Sequence, residues 1–75
     1  MTKPIAEHIF RLVNGIWTDV KGNAGTLADY LGERDLLVDD RTQFARMYDY
    51  AANICYYYRA NGGTVKIVEW RIDQC

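Results

Sequence analysis

The stretch from Thr64 to Asp73, Thr-Val-Lys-Ile-Val-Glu-Trp-Arg-Ile-Asp, constrains the fold more than any other part of the chain. Its β-branched residues read as a strand. Val65 and Ile67 point one way, and Val68, Trp70 and Ile72 point the other after a change of phase. A strand that is apolar on both sides requires cover on both sides. Its backbone also requires hydrogen-bonding partners that no lone strand has. Ile16–Val20 is one source of them. The same strand in a second copy, or the sheet of another protein, is the other.

Most of the remaining chain reads as helix. Pro4 suits a first helical turn, and Ile5, Ile9, Leu12, Val13, Ile16 and Val20 then recur at helical spacing. Asn14-Gly15 interrupts them, and an interior glycine costs about 1 kcal/mol relative to alanine. Two readings are open: a helix over residues 4–20, or a helix capped at Gly15 with a short strand at 16–20. After the loop Lys21–Gly25, Thr26 is a good N-cap with Asp29 three residues on. The helix it opens carries Leu27, Tyr30 and Leu31 inward. Asp39 or Asp40 opens a third helix over residues 40–61. Its Phe44, Met47, Tyr48, Ala51, Ile54, Cys55 and Tyr58 share one face, and Asn61-Gly62-Gly63 ends it.

The expectation is one α+β domain over residues 1–75, a three-helix layer with a C-terminal β-strand in winged-helix-like order. Its core gathers Ile5, Ile9, Leu12, Ile16, Leu27, Leu31, Phe44, Tyr48, Ala51, Cys55 and Tyr58, with Trp70 helping to cover it. A chain of 75 residues buries only about 60% of its unfolded surface and gains from a supplement to its core. Two cysteines are too few for a disulfide scaffold, and with one histidine they build no structural zinc site. A partner or a second copy is the supplement that survives. The apolar runs are too short to span a membrane, and the amino end lacks an apolar signal core. A cytoplasmic protein is expected.

Chemistry is sparse. The chain has no serine, His8 falls on the polar side of the first helix, and Cys55 falls in the middle of the third. Asp39-Asp40 reads as a cap meeting a helix dipole. Gly22-Asn23-Ala24-Gly25 matches neither phosphate-binding fingerprint. No enzyme, cofactor or metal is expected.

Two groups suggest a partner surface instead. Arg46, Tyr50, Asn53 and Tyr57 form a stripe beside the apolar face of the third helix, in residue types that interfaces favour. Asp35, Asp39 and Asp40 belong to an acidic run with Asp29 and Glu33, whereas Arg41, Arg46, Arg59, Lys66 and Arg71 dominate residues 41–71. The reading is a small regulatory or inhibitory protein–protein interaction module, with a homodimer through the 64–73 strand as one form. Thr26-Leu27-Ala28-Asp29-Tyr30-Leu31-Gly32 is similar to the second helix of helix-turn-helix proteins, often Leu-Ala-x-x-Leu-Gly. That resemblance implies a winged-helix DNA-binding regulator as the alternative. Asp39 and Asp40, at the mouth of its recognition helix, make nucleic acid the lesser expectation. In size and character the chain also resembles phage-encoded inhibitors of host machinery, anti-CRISPR proteins among them. That likeness implies an acidic run standing in for phosphates.

Overall fold

The computed structural model describes residues 3–22 and 25–75. Asn14-Gly15 decides how the chain begins. Both residues take positive φ, 51° and 78°, the conformation that a two-residue hairpin turn needs and that Asn-Gly readily adopts. β1 (Ala6–Val13) therefore folds back as β2 (Ile16–Asp19), with Val13 opposite Ile16 and Phe10 opposite Asp19. α1 (Leu27–Glu33) follows, capped by Thr26, whose hydroxyl oxygen accepts from the Asp29 N–H at 3.1 Å. β3 (Phe44–Asp49) and β4 (Ile54–Asn61) make a second hairpin around Tyr50–Asn53. Gly62-Gly63 then reverses the chain into β5 (Thr64–Arg71), and a 3-10 turn at Ile72–Gln74 closes it. The sheet is antiparallel throughout, in the order β2-β1-β5-β4-β3.

This corrects the expected α+β fold. No three-helix layer forms, and the winged-helix-like order goes with it. The helix expected over 4–20 is the β1–β2 hairpin, and the helix expected over 40–61 is the β3–β4 hairpin. Of the two readings of 16–20, the strand is the one adopted. The helix-turn-helix resemblance also loses its frame, since α1 is the single α-helix among the described residues. The physical reason lies in where the apolar residues fall. Tyr56, Tyr57 and Tyr58 favour strands, but they and their neighbours load both faces, which erases the period-2 signal and leaves an accidental helical one. The 64–73 strand forms as β5 in the middle of the sheet. Its backbone is used by β1 and β4, so it offers a second copy no free edge.

Cross-strand partners share a face, so the register sorts the side chains. On the front face Phe10, Tyr56, Tyr58, Val65 and Ile67 pack against Leu27 and Tyr30 of α1 and Leu36 beyond it. Of the expected core, Leu27, Cys55 and Tyr58 are buried, while Ile5, Leu12, Ile16, Phe44 and Tyr48 are exposed. Trp70 lies on the back face, opposite Cys55.

Ile67 is fully buried at the centre of this packing and Leu37 is 94% exposed. Ile67→Ala is expected to lower the unfolding free energy by about 2–5 kcal/mol. Leu37→Ala should change it by no more than about 0.5 kcal/mol. Urea titration of both variants measures the contrast, and equal effects would place the core elsewhere.

Candidate functional site

A polar network fastens α1 to the front face. Glu69 enters the front from central β5, and its Oε2 accepts from the Tyr30 hydroxyl at 3.0 Å and meets His8 Nε2 at 3.0 Å. The other ring nitrogen, His8 Nδ1, lies 3.4 Å from Asp19 Oδ2. Asp19 Oδ1 in turn accepts the Lys21 N–H at 2.7 Å. Arg34, the C-cap of α1, closes the group, with its guanidinium 3.8 Å from the centre of the Tyr30 ring and Nη1 donating to the Tyr30 carbonyl. Among the described residues no buried side-chain nitrogen or oxygen lacks a partner. His8 is thus an inward-facing strand residue, not one on the polar side of a helix. Sequence reasoning missed the network because its members are 8, 19, 30 and 69, brought together only by the sheet.

The network does not open onto the front cleft. That cleft, of about 510 Å³, lies between the β1–β2 turn, α1 and the segment 38–40. Trp17, Leu31, Val38 and Tyr58 line it with Asp39 and Asp40, and His8, Asp19, Tyr30 and Glu69 take no part. The group ties α1 to β1 and β5 through Tyr30, His8 and Glu69. Among the described residues no cluster of three or more His, Cys, Asp or Glu is arranged to hold a metal.

The back face has a different character. Reading across β1, β5, β4 and β3, one row holds Ile9, Lys66, Arg59 and Phe44. The next holds Glu7, Val68, Tyr57 and Arg46, and a third sets Trp70, Cys55 and Tyr48 side by side. Arg11 and Thr64 pair at the other end of the face. Neither α1 nor the segment after it crosses these rows. Phe44 and Tyr48 are exposed, at 59% and 41%. The Arg46 guanidinium stands 4.9 Å from the centre of the Tyr57 ring, and Tyr57 leans on Trp70. Four cations share this face with a single acid, Glu7, which pairs with Lys66 at 3.5 Å.

The residues singled out from sequence divide between the two sides. Arg46 and Tyr57 are brought together on the back face as cross-strand neighbours. Tyr50 lies beyond the end of β3, 77% exposed and stacked on Tyr48 at 5.7 Å. Asn53 serves the β3–β4 turn, where it takes φ of 60° and its carbonyl accepts from Ile72 N–H at 3.0 Å. Asp35, Asp39 and Asp40 are exposed in the segment after α1, on the opposite layer. Asp39 there accepts from the Arg41 N–H at 2.7 Å. Arg59, Lys66, Phe44 and Tyr48 were not among the candidates. An alternation of ring, cation and ring at 44, 46 and 48 is the signal that marks Phe44 and Tyr48 once β3 is read as a strand; Arg59 and Lys66 join them only through the register.

No protein-family model, curated protein or solved structure matches the chain. No helix among the described residues is long and apolar enough to cross a membrane.

Burial shapes the titration of this sheet. It pushes up Tyr30, Tyr56, Tyr57 and Tyr58, with the Glu69 charge adding to the effect on Tyr30 and Tyr56. It also pushes the Cys55 thiol up to about 12, followed by a hydrogen bond with the thiol of Cys75. Each group holds its proton in the fold at a pH where the unfolded chain releases it. Their contribution is therefore complete below the unfolded values, about 8.5 for Cys and about 10 for Tyr, and is lost as pH rises toward the folded ones. The melting temperature is expected to fall steeply above about pH 10, with phenolate absorbance appearing together with unfolding. Phenolate formation by these tyrosines near pH 10 in a folded protein would contradict the burial.

Proposed function

We propose that this chain is a non-enzymatic, regulatory binding module whose working surface is the uncovered back face of its sheet. One observation carries the reading: Arg11, Arg46, Arg59 and Lys66 stand among Phe44, Tyr48, Tyr57 and Trp70 on a face that α1 does not cover. Arginine, tyrosine and tryptophan are the residues in which interfaces concentrate binding energy. Cations interleaved with them favour an anionic partner and speed its approach. The module acts by occupancy. Its imidazole is tied into a network that fastens the helix, and a thiol held as high as that of Cys55 is a poor nucleophile near neutrality. Two free thiols suit a reducing compartment, and we place the protein in the cytoplasm.

A second reading rests on the opposite layer. Asp29, Glu33, Asp35, Asp39 and Asp40 are all exposed on α1 and the segment after it. Such a layer would dock into a basic groove of another protein.

Charge reversal separates the two. With the tagged protein as bait in its native lysate, Arg11→Glu with Arg46→Glu is expected to reduce partner recovery at least tenfold. Glu33→Lys with Asp40→Lys should leave recovery intact. All four side chains are exposed, so melting temperatures should shift by only a few degrees. Loss confined to the second pair would move the working surface to the acidic layer.

A further inference from the structure

We infer that the back face is a platform for single-stranded nucleic acid, with a phosphate seat built by Arg59 and Lys66; the inference rests on the binding-face reading above. The register sets Arg59 directly opposite Lys66 on adjoining antiparallel strands. Like charges in that relation repel. Glu7 answers only one of them, since it pairs with Lys66, and among the described residues no ion pair includes Arg59. The two cations line a shallow depression of about 260 Å³ together with Asn61 and Thr64. A guanidinium, an ammonium, an amide and a hydroxyl all offer donors, and no carboxylate of the described residues lines the depression. That set suits a phosphate, which accepts several charge-assisted hydrogen bonds at once. Arg11, opposite Thr64, adds a third cation at its margin.

Rings stand next to the seat. Phe44 is the cross-strand partner of Arg59, and Tyr48 follows on the same side of β3 with Arg46 between them. Same-face residues of a strand are about 6.7 Å apart, so ring, cation and ring recur along the edge. Phosphate donors beside exposed rings match the two parts of a nucleotide. A base can lie on a ring only when its own face is free, which a single strand provides and a duplex does not. Among the described residues no helix or strand projects from this face to enter a duplex groove. An acidic protein segment would satisfy the cations and leave the exposed ring of Phe44 without a counterpart.

The test is fluorescence anisotropy of the whole chain with a labelled oligothymidylate of about 12 nucleotides. Binding is expected, with log Kd rising against log salt at a slope of roughly 2, about 0.7 for each of Arg11, Arg59 and Lys66. Arg59→Gln with Lys66→Gln should weaken it more than tenfold and lower the slope. Phe44→Ala should weaken it about tenfold and leave the slope unchanged. Circular dichroism of each variant checks that the sheet persists. Equal affinity for the matching duplex, or for polyglutamate, would overturn the assignment to single strands. If no oligonucleotide binds while Arg59→Gln with Lys66→Gln still abolishes recovery of a partner from nuclease-treated lysate, the nucleic-acid inference falls and the binding face stands. If that variant alters neither, both fall.

Discussion

Glu69 is the residue on which the arrangement of layers depends. It sits on the central strand, buried, in a position where a carboxylate loses most of its water. An unpaired charge there would cost several kcal/mol, so the fold must bring donors to it. Tyr30 comes from α1 and His8 from β1. A helix of seven residues is too short to be stable by itself and has few apolar side chains to anchor it. The hydroxyl of Tyr30 gives it one fixed point on the sheet, and the Arg34 guanidinium over the same ring closes that point from above. A non-polar residue at 69 would remove the desolvation cost and the specification of where α1 lies together.

That fixed point also decides which face stays open. One short helix and the segment after it cover the front, and among the described residues there is no second α-helix to cover the back. The back side chains accordingly divide their work. Cys55 is fully buried in the middle of β4, opposite Trp70. Tyr57, Val68 and Trp70 shield one another in part, and long cationic side chains cover apolar surface with their stems while keeping their charge in water. The outcome is a charge division in space: acids on α1 and the segment after it, bases across the sheet behind.

Part of this was legible in the sequence. Thr26 as N-cap, the helix it opens, the strand after Gly62-Gly63 and the change of charge sign near residue 40 are local features, and local physical chemistry is sufficient for them. Asn14-Gly15 was legible too, as a two-residue hairpin signal. It lost to the helical spacing of Ile5, Ile9, Leu12 and Ile16, of which Ile5, Leu12 and Ile16 prove to be exposed strand or strand-end residues. Residues 40–61 failed for a different reason. β4 is flanked on both sides and apolar on both faces, so Cys55 and Tyr57 carry as much hydrophobic signal as Tyr56 and Tyr58. Periodicity cannot separate such a strand from a helix. Of the candidate site, Arg46 and Tyr57 were reached through the wrong geometry, seen as a helix flank and found as a cross-strand pair. Arg59 and Lys66 could not be reached at all, because their relation exists only through the register of β4 and β5.

The Arg59–Lys66 pair bears on how sequence, stability and function are balanced here. Directly opposed like charges on neighbouring strands cost on the order of 0.2–1 kcal/mol relative to a neutral pair. A domain that buries so modest a share of its surface has little stability to spare. Nothing in the fold requires the pair, since both side chains point outward and a threonine at either position would suit the strand better. Glu7 relieves Lys66 from the neighbouring row, which shows that the sheet can offer a counter-charge close by; among the described residues no ion pair extends the same relief to Arg59. Repulsion left in place on an open face is relieved when an anion arrives. The free energy withheld from folding at that row is then returned on binding, which makes the seat more stable occupied than empty.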